Sequence, residues 1–126
     1  MLRSISDHNT KGQQAELIAQ KYLQTQGLSI IQSNFSCRLG EIDLIMQDNE
    51  FLVFIEVRYR KKTHYGHPLE TINFAKQQKI IKTIQYFLLN KPQYNNVPYR
   101  VDALAIHSQT PTGQEHIDWV KNAIQG

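Results

Sequence analysis

The sequence predicts an α/β domain in which a central mixed sheet is flanked by helices, in the order α-β-β-β-α-β with a short β-α tail. Two segments carry apolar residues at helical spacing, alternating runs lie between and after them, and turn-forming residues separate the elements. This arrangement favours helices packed around one sheet. A chain of 126 residues can bury one core, so we expect a single domain over residues 1–126.

Two helices are predicted, over residues 11–26 and from about 73 to 90. Gly27 ends the first helix, and Glu16 lies at the edge of its apolar stripe. Lys91-Pro92 ends the second helix. Its lysines lie on the side opposite its apolar stripe; they are Lys76, Lys79 and Lys82.

Strands are predicted from the runs LSIIQSNF, GEIDLIM and FLVFIEVRYR, and a turn at residues 47–50 joins the last two into a hairpin. Because strand side chains alternate, Asp43 is expected on the face opposite Ile42, Leu44 and Met46, and Glu56 shares a face with Arg58. The run PYRVDALAIH predicts a further strand. A short strand near residues 116–118 and a half-helix around 120–124 complete the prediction.

The hairpin brings two acidic side chains, Asp43 and Glu56, near each other on an otherwise apolar surface. Two carboxylates there repel each other and lose hydration unless a cation compensates them. A hard divalent ion with oxygen ligands would do so. The alternative is an ordinary salt bridge between Glu56 and Arg58 on a solvated face, with Asp43 as an edge charge. The spacing alone leaves both interpretations open.

The strands GEIDLIM and FLVFIEVRYR resemble the D…(D/E)-x-K signature of the restriction-endonuclease-like, or PD-(D/E)xK, nuclease superfamily. More narrowly, the chain resembles the bacterial YraN-like family of predicted nucleases, which are similar to archaeal Holliday-junction resolvases. This resemblance runs from KGQQAELIAQKYLQTQG to YRVDALAI and IDWVKNAI. It implies a restriction-endonuclease-like core and hydrolysis of phosphodiester bonds in DNA, in branched or structured substrates, with Mg²⁺ (or Mn²⁺) as the cofactor.

The resemblance also implies roles for individual residues. Asp43 and Glu56 correspond to the metal-binding carboxylates, and the main-chain carbonyl of Val57 to a further ligand. Glu16 resembles the acid of the first helix that completes the catalytic site in the junction resolvases. Glu41 lies two residues before Asp43, the predicted metal-binding carboxylate, on the same strand. There it would support the site or pair with Arg58.

Arg58 departs from the superfamily pattern, because it stands where the signature has a lysine. An arginine stays protonated and cannot act as a general base, although it can bind a phosphate with two hydrogen bonds. A metal-bound water would then have to supply the hydroxide. Two other functions therefore stay open: a DNA-binding module that does not cleave, and a protein–protein adaptor without a nucleic-acid role.

The net charge of +3 and the pI near 9.0 lean only weakly towards an anionic partner. The basic residues near the predicted site are better placed to contact DNA phosphates; they are Arg60, Lys61, Lys62, Lys76 and Lys79. A two-fold homodimer would suit paired cuts across a junction.

Several features favour a cytoplasmic protein with no membrane association. No apolar run approaches the roughly 18 residues of a membrane span, and the first residues lack the apolar core of a secretory signal. The single cysteine, Cys37, excludes an internal disulfide. His64 and His67 lack further ligands for a zinc site, and Asp102 is expected to be a buried structural partner for an arginine.

Overall fold

The computed structural model describes residues 11–60, 72–108 and 115–124. Its helices are α1 (Lys11–Thr25) and α2 (Phe74–Leu89), and a short 3-10 helix (Pro92–Tyr94) follows α2. Its strands are β1 (Ser29–Cys37), β2 (Gly40–Asp48), β3 (Phe51–Arg60), β4 (Tyr99–Ser108) and β5 (Glu115–Ile124). Neither described α-helix has the length and the apolar character that crossing a membrane would require.

The strands form one five-stranded sheet in the order in which they occur in the chain. Every neighbouring pair is antiparallel except β3 and β4, which are parallel. Parallel neighbours cannot be joined by a tight turn, so the chain crosses over one face of the sheet between them, and α2 lies in this connection. The predicted α/β class, with a mixed sheet flanked by helices, is confirmed, and the described elements follow the predicted order α-β-β-β-α-β as far as β4.

Each face of the sheet packs against one of the two described α-helices. On the α1 face, Ala15, Ala19 and Leu23 pack against Val53, Ile55 and other strand residues. On the α2 face, the packing partners are the helix residues Ile80, Ile84 and Phe87 and the strand residues Leu52 and Phe54. The alternating faces predicted for β3 are therefore confirmed, and Glu56, two residues after Phe54, lies on the α2 face.

In β2 the predicted alternation is wrong at one point. Leu44 and Met46 belong to the core on the α1 face, as a regular strand requires, but Ile42 packs with Ile45 on the α2 face. The ladder between β2 and β3 begins only at Leu44 and continues to Asp48. Asp43 therefore lies where the two strands cease to form a regular ladder, and where the faces of β2 change over.

Gly40 permits the close approach of α2 to the start of β2. A Cβ atom at this position would lie 2.7 Å from Oγ1 of Thr83, a buried residue of α2. The Thr83 hydroxyl donates a hydrogen bond to the Lys79 carbonyl at 2.7 Å and is held in this position. Without a side chain at residue 40, the first part of β2 and the first turns of α2 can form the two walls of one cavity.

The C-terminal prediction is wrong: residues 120–124 belong to strand β5, not to a half-helix. Asn122 has a φ of 54° and its backbone N–H donates to Oδ1 of Asp102 at 2.9 Å. Arg100 and Trp119 also donate to this fully buried carboxylate, at 3.0 Å each. The structural role predicted for Asp102 is confirmed, since it connects β4 to β5.

Candidate active site

The Asp43 side chain takes the place of a backbone hydrogen bond between β2 and β3. Its Oδ2 accepts a hydrogen bond from the Val57 backbone N–H at 2.8 Å. In a strand, the N–H and the C=O of one residue point to the same side. The Val57 carbonyl, predicted as a metal ligand, therefore also points towards β2 and Asp43.

Glu56 is a buried acid with an incomplete set of hydrogen bonds. Only 3% of the residue is exposed, and its Oε2 has no hydrogen-bond partner among the described residues. A backbone hydrogen bond from Asp43 reaches the carboxyl group. Burial and the charge of Asp43 nevertheless raise the pKa of Glu56 to about 8, against the opposing effect of Arg58 and Lys76. A charged Glu56 is therefore unfavourable here unless another cation is present.

The pKa of Asp43 is also raised, chiefly by burial. The Val57 N–H, the Arg58 guanidinium, a hydrogen bond with Glu16 and the charge of Lys76 all act in the opposite direction. Asp43 and Glu56 thus lie side by side, as the hairpin spacing predicts, and the charge of Asp43 disfavours ionisation of Glu56.

Glu16 reaches this pair from α1, on the other side of the sheet. Burial, the charge of Asp43 and a hydrogen bond to Asp43 raise the pKa of Glu16 to about 7, while a hydrogen bond from Asn34 acts to lower it. Asn34 has a φ of 54°, a backbone conformation that asparagine adopts more readily than most residues. The hydrogen bond between the two carboxyl groups raises the pKa of Glu16 and lowers that of Asp43, so the shared proton is favoured on Glu16.

A cavity of about 480 Å³ opens between the end of this strand pair and the start of α2. Both carboxyl-bearing strands and the helix contribute charged residues to its wall: Glu41, Asp43, Glu56, Arg58, Lys76 and Lys79. The acids lie on the sheet side and the lysines on the helix side. A phosphate in this cavity would have cations on two sides and the carboxylates beneath it.

Arg58 follows Glu56 by two residues on the same face of β3 and lines the cavity. Its Nε is buried and has no hydrogen-bond partner among the described residues. The described ion pairs do not include one between Arg58 and Glu56. The ordinary salt bridge that the sequence left open is therefore not formed, although the Arg58 charge still lowers the pKa of both acids.

The start of α2 also faces the cavity. Asn73 is the N-cap residue, and its Oδ1 accepts a hydrogen bond from the Lys76 backbone N–H at 2.9 Å. Both Asn73 and Ala75 line the cavity wall. The partial positive charge of a helix N-terminus favours an anion at this end.

The structure brings some of the predicted DNA-contacting residues to the cavity but not others. Lys76 is half-buried on the cavity wall, whereas the sequence predicted it on the outer side of the helix; Lys79 is exposed, as predicted. Arg60 is the last residue of β3, but the structure describes only its backbone. Lys61, Lys62 and the histidine pair His64 and His67 also fall outside the described residues.

Sequence reasoning missed two residues that shape the site, Asn73 and Asn34. Asn73 had a usable signal, because asparagine directly before a helical period is a favoured N-cap. Asn34 had none, since its contact with Glu16 depends on how α1 packs against β1. Glu41 is exposed and lines the cavity, and its supporting role stays a prediction.

The acids of the cavity are also the candidate ligands of a metal ion. Within the described residues, no three His, Cys, Asp or Glu side chains are arranged as a preformed metal-binding group. The available carboxylate ligands are therefore the pair Asp43 and Glu56, and Oε2 of Glu56 has no partner among the described residues. A divalent ion fits this donor set, because Mg²⁺ commonly uses only one or two carboxylates and retains several water ligands.

Comparison with known proteins places the chain in a group of closely similar bacterial proteins. A family model described as "Uncharacterised protein family UPF0102" matches residues 15–106. A UPF0102 protein of Nitrosococcus oceani is 46% identical over 118 residues, covering 94% of each chain. A UPF0102 protein of Psychromonas ingrahamii is 47% identical over 124 residues, covering 98% of this chain and 96% of the relative.

Among solved structures, the chain resembles SfsA of Pyrococcus furiosus, determined in complex with Ca²⁺, with a TM-score of 0.42 and 14% sequence identity. The match covers 91% of this chain but only 64% of the SfsA chain.

Proposed function

The chain belongs to the UPF0102 family, the YraN-like family that its sequence predicts, and we propose that it is a divalent-metal-dependent endonuclease that hydrolyses phosphodiester bonds in DNA. One observation carries the proposal: the buried Glu56 and the half-buried Asp43 lie side by side in a cavity whose other walls carry cations. One oxygen of Glu56 has no partner among the described residues. Buried polar atoms are normally paired, so an unpaired carboxylate oxygen beside an open cavity favours a bound cation.

Mg²⁺ or Mn²⁺ suits this site because its donors are hard oxygens. Asp43 and Glu56 would hold the ion, and the Val57 carbonyl would be a third ligand. When bound, the ion would lower the pKa of a water molecule enough to provide hydroxide near neutral pH. The protein's own contribution is to hold the two carboxylates in place through the β2–β3 hairpin and the Val57 N–H.

Arg58 would bind the non-bridging oxygens of the scissile phosphate and stabilise the charge that develops on them. It cannot remove a proton from water, because guanidinium stays protonated. Glu16 shares a hydrogen bond with Asp43, and it would fix the orientation of that carboxylate and hold a proton next to the site. Glu41 at the rim would keep phosphates from binding outside the cation-lined part of the cavity.

DNA is the proposed substrate because the cations around the acids match a phosphodiester backbone. Lys79 is exposed at the cavity rim, where it would contact a phosphate next to the one being cleaved. Arg60, Lys61 and Lys62, which stand at and after the end of β3 in the sequence, are proposed as further phosphate contacts. A branched or structured substrate, and a homodimer that cuts both strands of a junction, follow only from the resemblance to the junction resolvases.

The test is cleavage of linear and four-way-junction DNA by the purified protein with Mg²⁺, Mn²⁺ or EDTA. We expect metal-dependent nicking that Asp43→Asn and Glu56→Gln each reduce by about 100-fold or more, because each removes a ligand of the ion. The control is Glu50→Gln, which removes the same charge from the exposed β2–β3 turn. Equal cleavage by the Glu56→Gln and Glu50→Gln proteins would refute the proposal.

A second function, DNA binding without efficient cleavage, is favoured by Arg58 in the position of the signature lysine. In that case DNA retention would fall steeply with salt but would not need Mg²⁺. Retention would also be unaffected by Asp43→Asn. Nicking above the EDTA background by the wild-type protein would exclude this alternative.

A further inference from the structure

Lys76 occupies a position that its place in the sequence does not suggest. It is the third residue of α2, and the N-cap side chain of Asn73 fixes its backbone N–H at 2.9 Å. The residue is half-buried, unlike Lys79 and Lys82 further along the helix. It lines the same cavity as Asp43 and Glu56, facing them from the opposite wall.

The charge of Lys76 acts on both acids. Burial raises the pKa of Asp43 and of Glu56, and the Lys76 ammonium is one of the groups that counteract this effect in each case. Lys79 lines the cavity as well but is not among the main influences on the pKa of either acid. Lys76 forms no ion pair with any of the described acids. Its ammonium is thus near the carboxylates while space remains between them.

We propose that Lys76 supplies, from α2, the ammonium that the Arg58 substitution removes from β3, and that it contacts the scissile phosphate directly. The inference rests on the proposed nuclease function and deepens it. It assigns to Lys76 a role in the reaction itself, in place of the general DNA contact expected from a lysine on the outer side of a helix.

The charges at the site explain why a second cation is needed. Two carboxylates balance one divalent ion, so the phosphodiester and the additional negative charge of its pentacoordinate transition state remain to be neutralised. Arg58 provides one positive charge, and its buried Nε limits the directions in which it can donate. Lys76 provides the second charge on a compact group with three donors, next to the positive end of α2.

The experiment compares three lysine variants on one helix, Lys76→Met, Lys79→Met and Lys82→Met, in steady-state cleavage of junction DNA. Lys76→Met should lower kcat by about 100-fold or more with little change in KM, because its contact strengthens in the transition state. Lys79→Met should raise KM. Lys82→Met should change neither, because Lys82 is exposed and does not line the cavity.

A second measurement does not depend on activity: calorimetric Mg²⁺ or Mn²⁺ affinity of the DNA-free proteins. Removing a positive charge beside the two ligands should tighten metal binding by about threefold to tenfold in Lys76→Met and leave Lys79→Met unchanged. Lys76→Gln repeats both measurements with a polar side chain, and thermal melting confirms that each variant is folded.

The outcomes separate this inference from the function on which it rests. If the wild-type protein neither binds the metal nor cleaves DNA, the nuclease proposal and the role of Lys76 both fall. If the wild-type protein does both, but Lys76→Met resembles Lys79→Met in kcat, KM and metal affinity, the role of Lys76 alone is overturned.

Discussion

Glu56 should make the metal-free protein less stable as the pH rises. The folded state raises the pKa of this group from 4.5 to about 8, first through burial and then through the charge of Asp43. Between these two pH values the folded chain keeps a proton that the unfolded chain has lost. Stability therefore falls as the pH rises through this interval and levels off above about 8.

The size of the effect follows from the pKa difference. Each pH unit within the interval costs about 1.4 kcal/mol, so the change from pH 5 to pH 8 is on the order of 4 kcal/mol from Glu56 alone. In a domain of this length, about 1 kcal/mol corresponds to roughly 4 °C in Tm. The melting temperature of the metal-free protein should therefore fall by about 10 °C or more.

The assay is thermal melting in EDTA from pH 5 to pH 8.5 for the wild-type, Glu56→Gln and Glu50→Gln proteins. Glu56→Gln removes the ionisable group, so its Tm should vary much less with pH and should exceed that of the wild type at pH 8. Glu50→Gln should follow the wild type. Mg²⁺ should raise the wild-type Tm at pH 8 but not at pH 5, since it binds the ionised carboxylates. Parallel profiles for the wild-type and Glu56→Gln proteins would refute the reasoning.

Three further predictions concern two packing contacts of the sheet, at Gly40 and Asp102, and the role of Arg58. Gly40→Ala should cost about 1–3 kcal/mol in urea unfolding, because its Cβ would press on Thr83 Oγ1 at 2.7 Å; an unchanged midpoint would show that α2 can shift away. Asp102→Ala should cost about 3–5 kcal/mol in the same assay, because it leaves Arg100 and two other donors without their buried acceptor; a cost below about 1 kcal/mol would contradict this. Arg58→Lys should change kcat for junction cleavage by less than about tenfold, because Lys76 already provides an ammonium; a larger gain would argue that Lys76 does not.

The elements near the hairpin could be predicted because their signals are local. The alternation of apolar residues predicts β3, and the turn residues predict where it joins β2. Counting residues outward from this turn along both strands puts Asp43 beside Glu56. What alternation could not show was the change of faces at Asp43. That change depends on where β2 separates from β3, and the Val57 N–H bond that marks this point is a contact between strands.

The parts that could not be predicted depend on long-range contacts. Residues 120–124 carry no strong preference for strand over helix, and the Asn122 N–H bond to Asp102 connects them to β4 across 20 positions in the chain. Lys76 was placed on the outer side of α2 because helical spacing describes only that helix. Its position on the cavity wall depends on how the helix start packs against the sheet, which Gly40 makes possible.

The two buried acids, Asp102 and Glu56, provide an internal comparison within one fold. Asp102 is fully buried, and donors from Arg100, Trp119 and Asn122 occupy both of its oxygens. Glu56 is almost as buried, yet one of its oxygens has no partner among the described residues. The sheet can thus satisfy a buried carboxylate completely where the role is structural. At Glu56 it leaves one buried oxygen unpaired in a residue that lines a cavity with cations on its wall, at a cost in stability that a bound metal ion and a phosphate would offset.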